Sequence, residues 1–164
     1  MVLLINPEYL ATQLKKLNVK LVIFQYGNNM VPYINSDEKC KWVENIFYNI
    51  FMRFKNAAPG ISILAVGAGD MATLYKGTYT SYPYIPKIRD AQKNAAIKAG
   101  CAFWDLFEVT GGANSILAWK EKGLASNDGH FTNDGQKIIG KELFNAIMIE
   151  YNQYKFRQRK KRNL

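Results

Sequence analysis

The fold this chain predicts is an α/β class, three-layer α/β/α sandwich around a parallel sheet, and three observations predict it. Apolar runs at residues 20–25, 61–66 and 101–105 alternate with longer amphipathic stretches of helical period. The connections between them are short, with no internal repeat and no linker. A strand–helix–strand order of this kind implies parallel strands joined by right-handed crossovers.

Asn6 is placed to cap a first helix that begins at Pro7 and Glu8 and runs to about Leu17, with Lys15 and Lys16 suited to the negative end of its dipole. Lys20 to Gln25 then reads as a strand, apolar almost throughout, as expected where helices cover both faces. Ser36, followed by Asp37 and Glu38, marks the start of a second helix reaching about Asn56. Its aromatic stripe of Trp42, Phe47, Tyr48, Phe51 and Phe54 is explained by core packing alone. Pro59-Gly60 ends it, and Ile61 to Val66 is the next strand. A third helix is expected over Ile85 to Ala99, a third strand over Cys101 to Asp105, a short helix over Asn114 to Lys122, and a last helix over Asp134 to Tyr154.

A chain of 164 residues suffices for one domain with a substantial core, assigned to residues 1–154, with a basic tail at 155–164. Six lysines and arginines fall in that tail, so the formal charge of +9 belongs largely to it and the body is only mildly basic. The tail has a single aromatic, Phe156, and so little interleaving argues against a specific nucleic-acid partner and for a solvated extension of the last helix. No apolar run reaches the roughly 18 residues that a membrane span needs, and the first ten residues lack the basic and apolar regions of a secretion signal. Cys40 and Cys101 read as packing residues. One histidine and scattered carboxylates, Asp70 and Asp105 among them, do not make a metal site, and Gly111-Gly112 lacks the lysine of a phosphate loop.

Two runs carry the functional signal. LVIFQYGNN (21–29) takes a strand directly into Gly27-Asn28-Asn29, and NDGHFTNDGQ (127–136) brings the only histidine, His130, close to Asp128 just before the last helix. Parallel strands gather their carboxyl ends on one rim, so both runs are expected to open onto one crevice. An imidazole, which titrates near neutrality, suits proton transfer there, and an amide suits stabilisation of an oxyanion.

With the further runs MVPYIN, SYPYIPKIRDA, CAFWDLFE and GGANS, these blocks resemble the SGNH (GDSL-like) hydrolase superfamily, and among its bacterial members those directed at acylated carbohydrate. The resemblance implies a flavodoxin-like sandwich of which this chain covers the third strand onward, the first two strands being absent. It implies Asn29 as oxyanion amide with Gly27 beside it, His130 as general base and acid, and Asp128 as the carboxylate that orients the imidazole. The family spacing would put that carboxylate at Asn127, and Asp128, one residue later, is the preferred reading. No block supplying the nucleophilic serine is present. Ser36 reads as a helix cap, Ser62 lies at the opposite end of its strand, and Ser81 sits in a tyrosine-rich turn, so the serine is expected on sequence outside these residues. Tyr33, Tyr79, Tyr82 and Tyr84 are candidate sugar-stacking surfaces. The resemblance implies no cofactor, a carbohydrate or other small ester as substrate, and an exported or periplasmic location. The competing readings are a noncatalytic or degenerate module, and a fragment that assembles with a separate amino-terminal half.

Overall fold

The computed structural model describes residues 5–126 and 129–162. Its sheet has three parallel strands, β1 (Leu21–Gln25), β2 (Ser62–Val66) and β5 (Ala102–Trp104), in the order β1-β2-β5. Ile23 lies opposite Leu64, and Leu64 opposite Ala102, so the even and odd positions of the three strands share faces. A separate antiparallel hairpin, β3 (Ala72–Tyr75) and β4 (Thr78–Ser81), turns at Lys76-Gly77, both with positive φ.

One face of the sheet is covered by α1 (Pro7–Lys16), α2 (Asp37–Ala57) and α3 (Ile85–Lys98). Local chemistry starts these helices where the sequence says they should start. The Asn6 carboxamide oxygen accepts from Glu8 N at 2.9 Å and Tyr9 N at 3.0 Å, and Ser36 Oγ accepts from Lys39 N at 3.3 Å. Their apolar stripes bury Leu10, Leu14, Val43, Phe47, Phe51, Ile85 and Ile88 against Val22, Phe24, Ile63, Ala65 and Phe103. The Phe24 ring meets Phe47, Phe51 and Phe54 edge to face, with centroids 5.6 to 6.4 Å apart. Trp42 departs from the expected stripe and is exposed.

On the other face lies α6 (Asn133–Arg162), which packs Ile139, Leu143 and Ala146 over Leu64, Val66 and Trp104. It runs eight residues beyond the expected stop at Tyr154, through the basic tail, whose Lys and Arg residues are good helix formers with no breaker among them. Two short helices, α4 (Leu106–Thr110) and α5 (Ser115–Glu121), follow β5. The expectation that helices would cover both faces of β1 needs correcting. Val22 and Phe24 are half-buried, but Leu21 and Ile23 stand 47% and 50% exposed. The reason is that β1 is an edge strand and α6 reaches only its neighbours. No helix of the described residues is long and apolar enough to cross a membrane.

Candidate active site

All three strands end on one rim, and the segments leaving β1 and β2 are tied together there by a buried side chain. Gln92, on α3 and 1% exposed, accepts from Ala68 N at 2.7 Å through Oε1 and donates from Nε2 to the Tyr26 carbonyl at 2.9 Å. Gly27 follows with φ of +121°, and a Cβ there would run into the Gln92 amide and come within 3.0 Å of Phe47 Cζ. Only glycine fits this turn. The chain then enters a 3-10 helix, Asn28–Tyr33, opened by the Met30 N to Gly27 O bond of 2.9 Å. Asn28 is half-buried and its Oδ1 accepts from Gly69 N at 3.3 Å. With its neighbour fastened in this way, Asn29 presents an exposed carboxamide on the rim.

His130 reaches the same rim from the other side. The loop before α6 is closed by the Ala125–Phe131 bridge, by Ser126 N donating to the His130 carbonyl at 2.8 Å, and by Thr132 N donating to Leu124 O at 2.9 Å. Thr132 Oγ1 then accepts from Gly135 N at 3.3 Å at the head of α6. Gly129 has φ of +83° and sits so close to the segment after β2 that a Cβ would lie 2.7 Å from Met71 Cγ and 3.2 Å from Asp70 O. The Phe131 ring approaches Gly69, within 3.8 Å of where its Cβ would be, and packs edge-on against Trp119. The His130 side chain is exposed. Asp128 and Asn127 lie outside the described residues.

Gly69 is therefore the meeting point, with Asn28 of the first run on its amide and the Phe131 ring of the second 3.8 Å from where its Cβ would be. Beside it, Asp70 is 1% exposed and accepts from Ile116 N at 3.1 Å through Oδ2. Burial raises its carboxyl above the ordinary range, partly offset by the Ser81 hydroxyl and the backbone amides of Ile116, Met71 and Asn114. Ser81 is buried, and its Oγ accepts from Asn114 N at 2.6 Å while Asn114 Oδ1 accepts from Ser81 N at 2.9 Å. That interlock fastens the hairpin to α5 and leaves Ser81 a structural part. Ser36 is a helix cap, and Ser62 begins β2 at the far end of the sheet.

The tyrosines divide. Tyr33 and Tyr79 are exposed, the latter with Lys120 Nζ 5.7 Å from its ring centroid, whereas Tyr82 and Tyr84 are half-buried and pack against the core. Arg89 lies below the rim and pairs with Asp105 at 2.8 Å and with Glu108 at 3.3 Å. Among the described residues no group of three or more His, Cys, Asp or Glu side chains is placed to hold a metal ion. Sequence reading passed over Gln92 and the role of Asp70. The available signal for Gln92 was a lone polar residue within the apolar stripe Ile88, Ala91, Ala95, Ala96.

No protein-family model and no curated protein matches the chain. A solved structure described as "Peptidoglycan O-acetylesterase in action, 5 min" superposes with a TM-score of 0.74 over 87% of this chain, at 23% identity. The chain spans 39% of the length of that one. What the two share is a fold, an α/β/α sandwich whose parallel sheet is flanked by helices.

Proposed function

We propose that the chain forms the oxyanion and general-base side of a serine-type acyl-ester hydrolase acting on acylated carbohydrate. The observation that carries the reading is the convergence at Gly69: the run bearing Asn29 and the run bearing His130 both close on that single residue at the carboxyl rim. The esterase neighbour, whose name concerns acetylated peptidoglycan, supports the substrate class.

In this reading a serine Oγ attacks the ester carbonyl and forms the C–O bond, while His130 takes the hydroxyl proton. The negative charge gathers on the former carbonyl oxygen, which the Asn29 carboxamide and the Gly27 backbone N–H stabilise. Collapse breaks the bond to the alcohol, which leaves with the proton returned by His130. Water then repeats the sequence on the acyl-serine, releasing the acid. Asp128 fixes the imidazole's tautomer. In this reading the nucleophilic serine is the one that the resemblance implies outside these blocks, since Ser36 caps α2 and Ser81 is locked into the hairpin. Tyr33 and Tyr79 offer exposed rings to a sugar.

The test has two arms. The chain alone is expected neither to label with a fluorophosphonate nor to hydrolyse para-nitrophenyl acetate, and labelling would overturn the external nucleophile. Expressed in frame with the sequence encoded upstream of it, the protein is expected to do both. His130→Ala would abolish turnover, and Asn29→Ala would lower it by about 10² to 10³. If the longer protein neither labels nor hydrolyses the ester, the domain is a noncatalytic module.

A further inference from the structure

α6 packs on the sheet through Ile139, Leu143 and Ala146, and from Ile149 to Lys161 every residue except the half-buried Gln158 is exposed. That outer half is not polar on every side. Phe144, Ile147, Tyr151 and Tyr154 recur at intervals of three and four residues, are all exposed, and form a stripe about a quarter turn round the helix from the packed face. Lys141, Lys155 and Arg159 follow one border of the stripe, and Lys161 comes two turns after Tyr154. From Tyr151 to Arg162 the helix carries six lysines and arginines and no carboxylate. The Lys155 and Lys160 ammonium groups lie over the rings of Tyr151 and Phe156 on the same helix, 4.6 and 4.8 Å from the centroids, so cations and aromatic rings are presented together.

We infer that α6 docks, by this stripe and its outer half, on the surface of an anionic lipid bilayer. Phe144, Ile147, Tyr151 and Tyr154 sit at the boundary of headgroups and acyl chains, and the lysines and arginines beside them lie among the lipid phosphates. Charge complementarity selects this occupant, because an unbroken cationic run beside an apolar stripe matches a surface that is negative above and apolar beneath. The other occupants match only one of the two properties. A nucleic-acid duplex would take the cations but leave four apolar side chains in water. A partner helix needs a seam of about three or more heptads, and this one ends after two, where Gln158 and Lys161 take the next seam positions. A second copy would set +9 against +9. The attachment is peripheral, since no helix of the described residues is apolar enough to span a bilayer. It does not use the esterase reading and holds equally for a noncatalytic module.

The 164-residue chain is mixed with vesicles of phosphatidylcholine alone, or of phosphatidylcholine with phosphatidylglycerol, and bound protein is measured after sedimentation. Binding to the anionic vesicles should exceed binding to the neutral ones by about tenfold or more, and should fall by about tenfold or more as salt rises from about 0.1 M to about 0.5 M. Lys155→Glu combined with Arg159→Glu should weaken it by about tenfold or more, while Lys93→Glu, at an exposed position of α3, should change it by less than about twofold. Ile147→Ser combined with Tyr151→Ser leaves every charge in place and should also weaken binding, by about tenfold. Equal binding to the two kinds of vesicle, or binding to neither, overturns the inference. Full affinity in the serine pair does so too, because it would reduce the helix to a bare polycation. Tighter binding to a short DNA duplex than to the anionic vesicles would overturn it in favour of nucleic acid, and a doubled mass in the absence of lipid would give the stripe to a second copy.

Discussion

Replacing Gln92 by leucine tests whether one buried amide holds the rim together. The substitution roughly preserves volume, so the loss is that of two hydrogen bonds in a site 1% exposed: Ala68 N to Oε1 at 2.7 Å and Nε2 to Tyr26 O at 2.9 Å. Each orphaned backbone group costs about 1 to 3 kcal/mol, so Gln92→Leu should cost about 2 to 6 kcal/mol. A domain of this size has about 5 to 15 kcal/mol in hand, so the variant should fold but unfold at a much lower urea midpoint. Tryptophan fluorescence during urea titration reads the change. A second variant sharpens the argument. Gly27→Ala places a methyl group against the same amide at φ of +121°, so in Gln92→Ala, where the amide is gone, it should do less harm. The double variant is expected to be more stable than the two single losses added together, by about 0.5 to 3 kcal/mol. A loss below about 0.5 kcal/mol for Gln92→Leu, or strict additivity in the cycle, would refute the idea that Gln92 clamps the two exits.

Asp70 carries a pH signature. Its carboxyl is raised by burial, so its contribution to stability is full below the ordinary carboxylate range and is lost as pH rises through the raised value. Asp70→Asn keeps an acceptor for Ile116 N and cannot ionise, so its melting temperature should gain on the native protein's as pH rises from the ordinary carboxylate range through the raised value; a difference that does not change with pH removes the argument. Arg89→Met would leave Asp105 and Glu108 without their shared cation, at a cost of about 1 to 3 kcal/mol in chemical denaturation, and an unchanged midpoint would show the pair to be idle. Thr132→Ala removes the hydroxyl that accepts from Gly135 N and donates to Gly123 O at 3.0 Å, and thermal melts should show a loss of about 1 kcal/mol; no shift would mean that the cap does not hold the histidine loop.

Which parts of this molecule were legible depends on how local their causes are. β1, β2 and β5 announce themselves as apolar runs bounded by turn residues, and α1 and α2 begin at caps that are complete within four residues of sequence. The hairpin was missed because its turn is Lys76-Gly77 rather than an Asn-Gly or Asp-Gly pair, and because its tyrosines and threonines read equally well as loop. α4, at five residues, is too short to show a period. The bare face of β1 was hidden for another reason. Apolar composition records what a strand is suited to be buried against, not what covers it in a given chain. Asn29 and His130 were found because strand ends and helix starts are predictable places, but the Gln92 clamp depends on a contact 66 residues from Tyr26, which no local pattern carries.

The run Gly67-Ala68-Gly69 explains why such distant parts can meet at all. A Cβ on Gly67 would fall 2.6 Å from Phe103 Cζ, and one on Gly69 3.2 Å from Leu106 Cδ2, so β5 and the start of α4 press directly on this backbone. From the other flank Gln92 takes the Ala68 amide and Asn28 the Gly69 amide, and the histidine loop settles against Gly69 through Phe131 and against Asp70 and Met71 through Gly129. Larger residues here would push all of these partners outward together. The segment has no side chain able to do chemistry before Asp70, yet the spacing between Asn29 and His130 is set across it. The geometry of the rim is thus governed by buried amides and missing side chains in the layer beneath it, and variants at Gln92 or Gly69 should disturb both exposed groups without altering either one.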